Sequence, residues 1–214
     1  SAGGGAVMTL SGDEATEAAV KRALPGHAIV HVATHAYVLG DGCETIPEGV
    51  RSVGGLARMD SAALASFTQE SPLLRSGLAL TGANQRNAAG PEADDGILTA
   101  EEIAALRLPG TDLVVLSACD TGLGEIRAGE GVFGLRRAFQ IAGARTVITS
   151  LWSVSDQSTV EWMRAFYQAR FARRAPMPEA MRSASLAVLQ SRRAQGLSTN
   201  PFHWAAFVAV GDWR

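Results

Sequence analysis

Residues 112–124 read D-L-V-V-L-S-A-C-D-T-G-L-G, and this stretch decides the fold. A near-continuous apolar run of this length, bounded by a proline-glycine pair before and glycines after, predicts a strand over 112–118 covered on both faces. Strands of that kind belong to parallel sheets flanked by helices. Working outward, residues 28–34 (A-I-V-H-V-A-T) and 146–152 (T-V-I-T-S-L-W) carry the same signature, with a shorter candidate at 78–80 and a last strand at 202–210. Between them lie helical patterns. One runs over 14–24, opened by Ser11-Gly12-Asp13 and stopped by Pro25-Gly26. Thr99-Ala100-Glu101-Glu102 is a capping box for a short helix to Leu106, ended by Pro109-Gly110. Val132, Leu135, Phe139 and Ala142 share a helix face that Gly143 terminates. Asp156 is the expected N-cap of a helix carrying Val160, Met163, Phe166 and Tyr167, and Pro178 opens another toward Leu189. Strands alternating with helices predict an α/β fold with a mostly parallel central sheet. Residues 40–58 and 84–96, rich in Gly, Asn, Asp and Pro, read as loops.

Composition narrows the function classes. The 214 residues are 47% hydrophobic and 19% charged, which suits one globular domain and excludes a disordered chain. A net charge of −2 gives no general pull toward nucleic acid or acidic lipid. The two cysteines, Cys43 and Cys119, cannot build a disulfide framework, so a reducing, cytoplasmic setting is expected. No signal pattern opens the chain, and no apolar run approaches the roughly 20 residues of a spanning helix, so no membrane partner is expected. Of the 19 basic residues only Lys21 is a lysine, a codon-usage bias rather than a functional signal.

In open α/β sheets ligands bind beyond the carboxyl ends of the strands. His35 follows the strand over 28–34 and Cys119 follows the strand over 112–118. If those strands are neighbours, a thiol and an imidazole face one crevice. A thiolate is a strong nucleophile, and a nearby His can take its proton. Each residue also has an ordinary reading, Cys as a small core hydrophobe and His as a surface hydrogen-bonding group. A zinc pair of His31 and His35 is excluded on geometry. Four steps at ~3.3 Å along a strand separate them by roughly 13 Å, too far to share one ion. Neither metal nor cofactor is expected. The segment over 122–131 lacks the Gly-Lys-Ser/Thr end of a phosphate loop, and no G-x-S-x-G elbow is present. The aromatics Trp152, Trp162, Phe166, Trp204 and Phe207 read as core.

H-V-A-T-H-A (31–36), D-G-I-L-T-A-E-E-I (95–103), D-L-V-V-L-S-A-C-D-T-G-L-G (112–124), G-E-G-V-F-G-L-R-R-A-F (129–139), A-G-A-R-T-V-I-T-S-L-W-S-V-S-D (142–156) and P-F-H-W-A-A-F-V-A-V-G (201–211) occur in order. Together they resemble the CHAT domain, a family of caspase-like and separase-like cysteine peptidases. The resemblance implies a caspase-like three-layer sandwich and endopeptidase chemistry on a protein or peptide substrate. It places the catalytic residues at His35 and Cys119, with the backbone amides of Ala36 and Cys119 holding the oxyanion. The family usually has Gly where Ala36 stands, and a Cβ disfavours some backbone angles, so a catalytically weak scaffold or interaction module is the alternative. The loop after the fourth strand, with Trp152 and Asp156, is expected to line the pocket for the residue before the scissile bond. Asp120 is a second acid there. Carboxylates at a pocket base predict cleavage after Arg before Lys. Residues 1–6 are expected to be a flexible tail or chain end, and 7–214 a CHAT-type domain lacking the family's first strand and helix. The family's usual setting implies an upstream helical-repeat or ligand-sensing module and low activity of the isolated domain.

Overall fold

The computed structural model describes residues 6–38, 73, 76–84, 94–117 and 130–212. Seven strands are present among them: β1 (Ile29–Val32), β2 (His35–Val38), β3 (Ser76–Ala79), β4 (Ile97–Thr99), β5 (Leu113–Leu116), β6 (Thr146–Ser150) and β7 (Phe207–Gly211). The described helices are α1 (Glu17–Ala23), α2 (Ala100–Ala105), α3 (Glu130–Ala142), α4 (Asp156–Tyr167) and α5 (Met177–Ala194). A π-helical turn, Gln168–Ala172, follows α4.

The strands form two sheets. The main one runs β1-β5-β6-β7 and the smaller one β2-β3-β4. In the main sheet β1, β5 and β6 are parallel, and β7 runs antiparallel to β6. β5 and β6 are buried at every position, as their unbroken apolar sequence predicts. Alternate residues face opposite sides, so each strand feeds two cores. Val30, Val114, Leu116 and Val147 point to one side, where Leu24, Ile103, Leu135 and Phe139 from α1 to α3 cover them. The small sheet joins this core through Leu78 and Leu98. Leu113, Val115, Ile148 and Phe207 point to the other side, against Trp162, Met163 and Phe166 of α4 and Val188 of α5. The result is the α/β, three-layer caspase-like arrangement with helices on both faces.

Local chemistry sets the element ends. The capping box at α2 is present in full: the Glu102 amide donates to Thr99 Oγ1 at 3.2 Å and the Thr99 amide to Glu102 Oε2 at 2.9 Å. Gly143 stops α3 at φ +114°, which L side chains rarely adopt. Other expectations need correction. Thr16, not the segment at 11–13, caps α1, because its hydroxyl accepts from the Ala19 amide; residues 12–14 form a separate 3₁₀ turn. Ser155, not Asp156, caps α4, its Oγ accepting from the Ser158 amide at 3.3 Å. Val160 is 56% exposed on α4. The strand expected over 28–34 ends at Val32, and the one expected over 202–210 starts at Phe207 because Pro201–His203 is a 3₁₀ turn. The loop segments over 40–58 and 85–93 lie outside the described residues.

α1 leads directly into β1 and is tied down by charge. Glu17 is 2% exposed, pairs with Lys21, and accepts the Gly96 amide at 3.0 Å. Lys21 also reaches Glu102 at 2.8 Å and Asp94 at 3.1 Å. Burial pushes the Glu17 carboxyl up. Burial also pulls on the Lys21 ammonium, but its three carboxylate partners more than offset that and hold it above the usual lysine range. Gly96 sits at φ +81°, where an added Cβ would lie 2.2 Å from the Ala83 nitrogen. One cation thus fastens α1 to the start of β4 and α2.

Candidate functional site

The site is built from the ends of β1, β5 and β6. Val32 pairs with Leu116, and Leu116 with Thr149, so these three residues form one row across the parallel strands. The Ser117 amide donates to the Val32 carbonyl at 2.9 Å and carries the β1–β5 pairing one residue further. Counting three residues past that row reaches His35, Cys119 and Trp152 on the three chains. These counts are along the chain; the shared register itself ends at the row of Val32, Leu116 and Thr149. Cys119, Asp120 and Cys43 themselves lie outside the described residues.

His35 is placed differently from the expectation. It does not end the first strand. The chain leaves the main sheet at Val32, and His35 opens β2, opposite Ala79 of β3. The Thr34 hydroxyl donates to the Ala79 carbonyl and secures this change of sheet. His35 is exposed, three residues along the chain from the end of β1. Ala36 pairs with Leu78 and packs against the core below. Its backbone lies outside the left-handed region, since Arg174 is the one non-glycine of the described residues with positive φ. The conformation at Ala36 is one that any L residue adopts, so its methyl carries no backbone strain there.

β3 and α3 meet closely beneath β2. A Cβ on Gly134 would stand 2.5 Å from Ser76 Oγ, so any larger residue there would require the Ser76 hydroxyl to move. Ser76 is 1% exposed, and among the described residues its hydroxyl has no hydrogen-bond partner.

The loop after β6 carries the remaining described candidates. The Leu151 amide donates to the Ala206 carbonyl at 2.9 Å, continuing the β6–β7 ladder. Trp152 is half-buried rather than core. Its indole Nε1–H donates to the Phe202 carbonyl at 2.8 Å, and its ring stacks on Phe202 with centroids 6.1 Å apart and planes 14° apart. Phe202 is 51% exposed, so the pair presents an open aromatic surface at the carboxyl end of the sheet. Phe202 escaped the sequence reading because its stretch looked like uninterrupted strand; Pro201 and the Asn200 cap beside it were the available signals. Trp204 is also only partly buried, its Nε1–H bound to the Thr199 carbonyl at 3.0 Å. Trp162, Phe166 and Phe207 are core, as expected. Asp156 is exposed in the first turn of α4, and with Ser155 acting as the cap its carboxylate bonds to no described residue.

His31 and His35 fall in different sheets, and among the described residues no group of three His, Cys, Asp or Glu side chains is placed to hold a metal ion. No described helix is long and apolar enough to cross a membrane.

A sequence profile described as the CHAT domain matches residues 2–212. The chain is 31% identical over 220 residues to mouse tetratricopeptide repeat protein 28, covering 95% of this chain and 8% of that protein. It is 34% identical over 125 residues to the human protein of the same name, covering 57% of this chain and 5% of that protein. The chain thus spans under a tenth of the length of either relative.

Proposed function

As the chain belongs to the CHAT domain family, a caspase-like peptidase family, we propose that it is a cysteine endopeptidase with Cys119 as nucleophile and His35 as its base. The observation that carries this reading is the β1–β5 register, which brings both chains to the same row of the sheet, three residues short of His35 and of Cys119. In the proposed reaction His35 takes the thiol proton and the thiolate adds to the scissile carbonyl carbon. The Ala36 and Cys119 amides hold the oxyanion. The carbon–nitrogen bond then breaks, His35 protonates the leaving amine, and water hydrolyses the thioester to free the thiol. Ala36 is free of positive-φ strain, so its methyl adds no backbone strain of its own to an enzyme with this site. No metal or cofactor takes part in these steps.

The substrate pocket is proposed to prefer Arg. A guanidinium both stacks on aromatic faces and pairs with carboxylates. The open Trp152–Phe202 surface supplies the first, and Asp156, with Asp120 beside the nucleophile, the second. The domain is proposed to work in the cytoplasm as the effector of an upstream helical-repeat or ligand-sensing module. The names of its tetratricopeptide-repeat relatives support a helical-repeat setting. Residues 7–214 are the domain on this reading, and 1–6 a tail.

A thiol-reactive peptidyl inhibitor tests the dyad. Mass spectrometry should find the adduct on Cys119 in the wild type and little in His35→Ala, with cleavage lost in Cys119→Ala. Full cleavage by Cys119→Ala would overturn the assignment. Equal turnover of Arg and Leu substrates, unchanged in Asp156→Asn and Asp120→Asn, would overturn the pocket.

A further inference from the structure

The step from the main sheet to the small sheet is made by two residues, Ala33 and Thr34. Behind them Val32 ends β1, and its carbonyl accepts the Ser117 amide at 2.9 Å. Ahead of them His35 opens β2 opposite Ala79. So short a step has little slack, and the direction in which His35 sets out depends on how the step is held.

β3 holds it. The Leu80 amide donates to the Gly96 carbonyl at 2.7 Å on the β4 side, so by strand alternation the backbone groups of Ala79 and Thr81 turn to the opposite edge. Two segments from distant parts of the chain share that edge. At Thr81 it is the segment leading into α1. The Thr81 amide donates to the Ala15 carbonyl at 3.0 Å, its hydroxyl to the Gly12 carbonyl at 2.6 Å, and Thr16 bridges Thr81 in parallel. At Ala79 it is the start of β2. Thr34 stands one residue before that start, and its Oγ1–H donates to the Ala79 carbonyl at 2.5 Å. The acceptor belongs to a packed strand, since all four residues of β3 are buried. A carbonyl has two lone pairs, so Ala79 can accept the Thr34 hydroxyl and keep its place opposite His35. Threonine suits the position, because a β-branched side chain has few χ1 states and holds its hydroxyl in place. Valine has the same shape without the donor.

We propose that Thr34 is the positioning residue for His35: its hydroxyl ties the step between the sheets to β3 and thereby fixes where the imidazole is held. This rests on the cysteine-peptidase reading, in which His35 is the base. Thr34 touches no reacting atom and acts through His35 alone. Small displacements are enough to matter, since ~1 Å of misplacement can cost ~100-fold in rate.

The pH profile of Cys119 alkylation by iodoacetamide tests this, followed on the Cys119 peptide by mass spectrometry of the purified chain. In the wild type His35 should bring the inflection below the ordinary thiol value of about 8.5. Thr34→Val should move it back toward that value and slow alkylation at pH 7 by ~5–30-fold. Thr34→Ser, which keeps the hydroxyl, should return the rate to within about 3-fold of the wild type. The double variant His35→Ala/Thr34→Val should match His35→Ala. A purely structural defect lowers the folded fraction and scales the rate without moving the inflection. Thr34→Ala, which also lacks the donor but has a smaller side chain, separates loss of the bond from crowding by valine. If His35→Ala moves the inflection, three results overturn the proposal and leave the dyad standing: an inflection unmoved in Thr34→Val and Thr34→Ala, no recovery in Thr34→Ser, or a double variant slower than His35→Ala. A His35→Ala profile identical to the wild type overturns the dyad, and the positioning role with it.

Discussion

His31 and Val115 are partners in the β1–β5 register and face the same side of the sheet, yet they live under different rules. Val115 is 0% exposed beneath Trp162 and Phe166, with strands on both flanks. His31 has a strand on one flank and Tyr167 over part of its ring. The contrast separates the two jobs of the sheet. Its centre is an apolar plate that holds register, and its edge and strand ends carry polar chemistry. Placing the same residue at both positions is the sharpest way to break the comparison. Val115→Asp buries a charge with no partner and should cost more than ~4 kcal/mol, leaving no cooperative transition in circular dichroism. His31→Asp should cost about 1 kcal/mol, the loss of one partly exposed hydrogen bond. Comparable losses in urea titrations would show that β1 is as constrained as β5.

The supports beneath the two strands differ as well. β5 rests on hydrocarbon, whereas the approach to β1 hangs on Lys21. Lys21→Met leaves the Glu17 carboxylate buried without its cation. The partial exposure of Lys21, Glu102 and Asp94 lets solvent screen part of the loss, so the expected cost is about 2 kcal/mol rather than the 3–5 of a fully buried pair. Adding Glu17→Gln to Lys21→Met should recover part of it, because a neutral amide tolerates that site better. A double variant less stable than Lys21→Met would mean that the Glu17 bond to the Gly96 amide, not the ion cluster, fastens α1.

How much of this was legible follows the same division. β5 and β6 could be read because burial on both faces leaves no polar residue to interrupt the run. The α2 capping box could be read because its two partners are three residues apart in the chain. The β2-β3-β4 sheet was missed, apart from part of β3, because its strands are three or four residues long and pair across long separations. For the same reason His35 was recognised as a residue at a strand end but not as the first residue of a new strand. The α4 cap failed differently. Ser155 and Asp156 are adjacent and both are good capping residues, so composition could not choose between them. Ser155→Ala should cost about 1 kcal/mol and Asp156→Ala under ~0.5 kcal/mol in thermal unfolding. The reverse order would return the cap to Asp156 and leave Asp120 alone as the proposed carboxylate for an arginine substrate.

The smallest expected effect is a pH dependence at the edge. Burial of its flank against Tyr167 holds the His31 imidazole below the usual histidine range. The same packing pushes the Tyr167 phenol up to about 12, so the phenol stays protonated throughout the neutral range. A neutral His31 can leave Nδ1 free to accept from the Tyr167 hydroxyl, whereas the imidazolium has two donors and no acceptor. Because the folded-state value is depressed, the unfolded chain binds the proton first as pH falls. The His31 contribution is therefore complete above about 6.5 and is lost as pH drops through the lower folded-state value. Urea midpoints of the wild type and His31→Asn, each measured at pH 7.5 and pH 5.0, isolate the term from the carboxylates that titrate in both. The wild type should lose slightly more stability than the variant on acidification. An equal loss in the two would mean that the ring is hydrated in the folded chain, and that the Tyr167 contact gives β1 no cover.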